Sequence, residues 1–125
     1  MIQGIGTDLV FVPRILASWT RHGDRFVQRI LTEAEQQRWR ESKRPEYMLA
    51  KCFAAKEAVS KALGTGISQG ISWQHIELGR EPSGKPLIRL REAALNRLQA
   101  LGAQDVLISL SDEKDYVLAF AVLTS

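Results

Sequence analysis

The chain predicts an α+β domain in which a mainly antiparallel sheet packs against one long central helix. Three observations lead there. Strand and helix patterns come in blocks, in the order strand, several helices, two strands, helix, two strands, not as a strict βα repeat. Each late pair of strands is joined by a short turn, which suits antiparallel neighbours and is too short for a parallel crossover. The longest helical pattern is rich in alanine and lies mid-chain.

The elements follow in order. "IQGIGTDLV" (2–10) reads as a first strand with glycines at alternate positions, 4 and 6. Pro13 suits the first turn of a helix running through "RILASWTRHG", which Gly23 ends. "DRFVQRIL" and "TEAEQQRWRESK" are two short helices, the second opened by a capping box of Thr32 and Glu35. The long helix spans about Glu46 to Leu63, with Met48, Cys52, Val59 and Leu63 as an apolar stripe, and Gly64 ends it. "ISWQHIEL" (71–78) and "PLIRL" (86–90) are strands joined by "GREPSGK". "REAALNRLQALG" is an amphipathic helix with Leu95, Leu98 and Leu101 on one side, and "VLISLS" and "YVLAFAVL" close a hairpin around "DEKD".

With 125 residues and no internal repeat, low-complexity segment or linker, residues 1–125 are one domain, long enough to bury a core. No apolar run approaches the roughly 20 residues needed to cross a bilayer, and "MIQGIGTDLVFVP" is no signal peptide. A cytoplasmic protein is therefore expected. Cys52 is the sole cysteine, and His22 and His75 have no metal-ligand spacing, so zinc is disfavoured and any metal should be a hard cation, magnesium first. The net charge of +3 is concentrated from Arg14 to Lys61. It suits an acidic partner or a phosphate-bearing ligand, although a solvated basic face would look the same. Trp19, Trp39 and Trp73 are not interleaved with basic runs, so no nucleic-acid platform is expected.

Candidate chemistry rests on few residues. Asp8 lies in a strand among apolar neighbours, where a carboxylate needs a cation, a lysine or a metal, unless it merely caps the helix that follows. Glu57 and Lys61 have the i,i+4 spacing of an ordinary surface pair, though Phe53 shares their face. The turn Gly64-Thr65-Gly66 could bring backbone amides to a phosphate, yet it ends a helix, where the dipole disfavours an anion. No Gly-x-Ser-x-Gly elbow surrounds Ser60, Ser109 or Ser111.

Taken together, "GIGTDLVFVPRI" (4–15), "RFVQRILTEAE" (25–35), "FAAKEAVSKALGTGI" (53–67), "GKP" (84–86) and "SLSDEKDYVLAFAVL" (109–123) resemble the bacterial holo-[acyl-carrier-protein] synthases in order and spacing, over essentially the whole chain. The resemblance implies the 4'-phosphopantetheinyl transferase-like fold. It also implies transfer of 4'-phosphopantetheine from coenzyme A to a serine of apo acyl carrier protein, releasing adenosine 3',5'-bisphosphate, in fatty acid biosynthesis. It implies Mg2+ on Asp8 and Glu57, a catalytic role for Glu57 and Lys61, and a coenzyme A site bordered by Lys61, Gly64, Thr65 and Gly66. Arg14 corresponds to a position facing the acidic carrier, and a homotrimer is implied. The general base is left open among Glu57, a metal-bound water and an outside carboxylate such as Glu35. Cys52 stands where many members have arginine, with Lys51 about 100° away around the helix, and Asp112 stands where some have histidine. The alternative is a non-catalytic basic module that binds acidic carrier domains through the segment Arg14 to Arg29.

Overall fold

The computed structural model describes residues 1–125. Strand β1 (Ile2–Phe11) leads into helices α1 (Val12–His22), α2 (Asp24–Ile30), α3 (Glu33–Arg40) and α4 (Pro45–Ala62). A 3-10 turn (Trp73–His75) precedes β2 (Ile76–Arg80), then β3 (Pro86–Leu90), α5 (Glu92–Ala100), β4 (Asp105–Glu113) and β5 (Tyr116–Thr124). The α+β class is as expected, and all pairing is antiparallel. The strands form two sheets: a three-stranded one in the order β1-β5-β4, and a β2-β3 ribbon.

Helix α4 lies across β1 and β5 and also meets α1, α2, α3 and β2. Ten of its eighteen residues are buried, so the expected four-residue stripe was too narrow. Alanines 50, 54, 55, 58 and 62 let several elements approach one helix. On β5, Val117, Ala119, Ala121 and Leu123 are buried beneath it, alternating with exposed Leu118 and Phe120.

The closest approach is at β1. A Cβ on Gly4 would lie 2.3 Å from the Ala62 carbonyl oxygen, and one on Gly6 only 2.1 Å from that of Ala58. Glycine is required at both positions because backbone fills the space a side chain would take. With a period of two, the next residue on this face is Asp8, which the strand thereby presents to α4.

Other expectations shift by a few residues. Extended structure begins at Ile76, not Ile71, because the Ser72 hydroxyl accepts from Gln74 N at 3.0 Å and caps the 3-10 turn. The hairpin is longer than expected, with Asp112 and Glu113 inside β4 and only Lys114 and Asp115 in the turn. In α5 the buried residues are Ala94 and Leu98, while Leu95 is exposed. The capping box on α3 is present: the Thr32 hydroxyl accepts from Glu35 N at 3.3 Å, and the Glu35 carboxylate from Thr32 N at 2.8 Å.

Candidate active site

Asp8 does not cap α1, whose first turn has no side-chain cap. It sits within β1 and faces α4, where its Oδ1 accepts from the Lys61 ammonium at 3.1 Å. The same ammonium donates to the Thr7 carbonyl at 3.0 Å. Lys61 is thus committed to β1, and the surface pair with Glu57 does not form. The second carboxylate oxygen of Asp8, Oδ2, is buried without any hydrogen-bond partner. Leaving such an atom unmatched is costly, which marks it as a place for a ligand.

Glu57 lies one helical turn before Lys61 and is half-buried. Burial raises its pKa above the ordinary carboxylate value, the nearby Asp8 charge raises it further, and Lys61 opposes both. Burial also raises the pKa of Asp8, with the Lys61 hydrogen bond and charge acting in the other direction. Of the two carboxylates, Lys61 is bonded to Asp8 alone, which leaves Glu57 and the second Asp8 oxygen as free carboxylate donors suited to a cation. Asp8, Glu57 and Arg14 line one cleft of about 330 Å³, walled on the apolar side by Ile15, Phe26 and Phe53.

The donor set fits magnesium better than a soft metal. No cluster of three or more histidine, cysteine, aspartate or glutamate side chains that could hold a metal exists in the chain. Two carboxylates, one with an unmatched oxygen, suit a cation that keeps several positions for water and substrate oxygens.

Gly64, Thr65 and Gly66 continue from the end of α4 and do not line this cleft. Their amides are occupied: Gly64 N donates to Lys61 O at 2.9 Å, while Thr65 N and Gly66 N donate to Ser60 O at 3.2 and 3.1 Å. These amides close the helix, so the backbone of the turn has no free donor for a phosphate, and any donors there would come from other groups.

Glu35 is removed from the candidate bases. It is fully buried, with Oε1 bonded to the Lys56 ammonium at 2.6 Å and to Thr32 N, and Oε2 to Leu78 N at 2.7 Å. Sequence reasoning missed Lys56, a fully buried lysine that also donates to Trp73 O at 3.0 Å. The only signal was its place among alanines that face the core. Cys52 is buried too, its thiol pushed up to about 12 by desolvation and then by Glu35. Arg38, Lys51 and Arg80 line a cavity of about 140 Å³ beside it. Lys51 pairs with Asp112 at 3.4 Å, linking α4 to β4.

Comparison with known proteins identifies the family. The family model described as "4'-phosphopantetheinyl transferase superfamily" matches residues 4–121. The chain is 49% identical over 124 residues to the holo-[acyl-carrier-protein] synthase of Shewanella frigidimarina, covering 99% of this chain and 98% of that one. The crystal structure of the holo-[acyl-carrier-protein] synthase from Neisseria meningitidis superposes with a TM-score of 0.93 at 43% identity, with full coverage of both chains. That of Bacillus anthracis, solved in complex with CoA (3',5'-ADP), gives a TM-score of 0.84 at 36% identity, covering 100% of this chain and 99% of that one. With the cleft of Asp8 and Glu57 set in the same fold over the same length, this chain belongs to the 4'-phosphopantetheinyl transferase superfamily, among the holo-[acyl-carrier-protein] synthases.

Proposed function

We propose that this protein transfers 4'-phosphopantetheine from coenzyme A to a serine of apo acyl carrier protein. The observation that carries the reading is the buried, unpartnered Oδ2 of Asp8 in a cleft shared with Glu57. The serine oxygen bonds to the phosphorus bearing pantetheine, and the phosphoanhydride bond breaks. Adenosine 3',5'-bisphosphate leaves with the electron pair, and the product is holo acyl carrier protein for fatty acid biosynthesis in the cytoplasm. No helix of the chain is long and apolar enough to cross a membrane.

Asp8 and Glu57 would hold Mg2+, which when bound neutralises charge on the pyrophosphate oxygens. Lys61, held against β1 by Asp8 and Thr7, meets the phosphoryl group as its charge redistributes. Glu57 takes the serine proton, as the carboxylate of the cleft that is not tied to Lys61. Arg14 contributes a cation at the mouth of the cleft, suited to an acidic carrier.

A homotrimer is supported by the outer face of the three-stranded sheet. Ile5, Leu9, Leu107, Leu118 and Phe120 are all exposed there, a contiguous apolar band of the kind that marks an interface. Nothing favours the non-catalytic carrier-binding module: Arg38, Lys51 and Arg80 keep the surroundings of Cys52 cationic without an arginine at position 52.

The deciding experiment is intact-mass spectrometry of apo acyl carrier protein incubated with coenzyme A and this protein, with and without magnesium. A magnesium-dependent gain of one phosphopantetheine group is expected. An unmodified carrier that still binds would overturn the enzyme reading in favour of the module.

A further inference from the structure

Phosphate binding at a helix C-terminus runs against the helix dipole, whose negative end emerges there. At the end of α4 the amides of Gly64, Thr65 and Gly66 are already donated to helix carbonyls, so a phosphate at this turn needs donors from elsewhere. One supply is in place on α5. Arg97 Nε donates to the Leu63 carbonyl at 2.9 Å. Arg97 Nη2 lies 3.5 Å from where a side chain on Gly64 would begin. The Leu63 bond is the one hydrogen bond the half-buried Arg97 side chain makes within the chain, so its remaining guanidinium donors are unused beside the turn.

We propose that Arg97 makes this helix end a phosphate-binding site: its charge offsets the negative end of α4, and its unused Nη donors bind a phosphate of coenzyme A. The proposal rests on the reading that the Gly64–Gly66 turn borders the coenzyme A site. A lysine at position 97 would retain the charge but not the fork that spans the carbonyl and the phosphate together.

The test is steady-state kinetics and calorimetric titration of coenzyme A with Arg97→Met, Arg97→Lys and Thr65→Trp. Losing a hydrogen-bonded charge should raise the KM for coenzyme A, and weaken its measured affinity, by about tenfold or more in Arg97→Met. Both kcat and the KM for the carrier should stay near the parent values. Arg97→Lys should recover most of the loss, and it carries the test alone if the methionine variant does not fold, by binding coenzyme A more weakly than the parent. Thr65→Trp, which crowds the turn directly, should also weaken coenzyme A. Arginine variants that melt earlier yet bind coenzyme A like the parent would reduce Arg97 to a helix cap and overturn the proposal. If Thr65→Trp still weakens coenzyme A in that case, the turn borders the site without Arg97. If it does not, the reading of the turn fails as well.

Discussion

Adding one methyl group at position 6 should damage both fold and site. In Gly6→Ala the new carbon would sit 2.1 Å from Ala58 O, 2.6 Å from Ala62 N and 3.0 Å from Lys61 Cβ. Two of these three are backbone atoms of α4, which cannot rotate aside. Relief needs β1 to withdraw by about 1 Å, since carbon–oxygen contacts are comfortable only beyond about 3 Å. Overpacking of this kind costs about 1–3 kcal/mol, and rigid neighbours push it toward the upper end. The same withdrawal would carry Asp8 away from the Lys61 ammonium, now at 3.1 Å, and leave the bond broken. A misplacement of about 1 Å at a reacting site can cost on the order of 100-fold in rate. Urea unfolding followed by tryptophan fluorescence measures the first effect, and carrier modification by mass spectrometry the second. Gly4→Ala, with its clash of 2.3 Å against Ala62 O further from Asp8, should match the stability loss with a smaller loss of activity. A Gly6→Ala protein within about 0.5 kcal/mol of the parent and equally active would refute the idea that backbone contact at this seam positions Asp8.

Other consequences can be checked separately. Because folding raises the pKa of Asp8 and Glu57, the folded state holds their protons more tightly than the unfolded state. Metal-free protein should therefore lose stability as pH rises from the ordinary carboxylate values through the raised ones. Glu57→Gln should flatten that fall, raise the melting temperature at pH 7 in EDTA and abolish transfer; an unchanged pH profile would count against the repulsion. Lys56→Met leaves Glu35 charged and buried without its ammonium and should cost about 3–5 kcal/mol. Adding Glu35→Gln removes the buried charge but sets an NH2 against one of the two backbone N–H groups that Glu35 accepts from, so it should recover only part of that loss in a denaturation double-mutant cycle, whereas simple additivity would deny the coupling. If the proposed trimer forms through the exposed band, Leu118→Glu in its middle should reduce the mass seen by light scattering to that of a monomer without unfolding the chain.

What the sequence made legible was local. Pro13, the Thr32–Glu35 box and Gly64 marked helix ends because the chemistry of a cap lies within a few residues. The α+β class followed from block order and short turns. The partner of Lys61 was not legible, since the favoured i,i+4 glutamate was visible in the chain while Asp8, 53 positions away, won in space. The Lys56–Glu35 pair escaped for the same reason, as did the engagement of the Gly64–Gly66 amides, which depends on the path of the turn. Asp8 and Glu57 themselves were picked out by family motif more than by spacing, because the unmatched oxygen and the shared cleft exist only in the folded chain.

Alternation along β1 has a further consequence. Asp8 faces α4, and its neighbour Leu9 lies on the opposite face, within the apolar band. A second copy seated on that band would press on the strand one peptide unit from the carboxylate that holds Lys61. Quaternary contact and chemistry would then share a single backbone segment, so specific activity should fall on dilution, and whatever loosens the assembly should act as an inhibitor without ever entering the cleft.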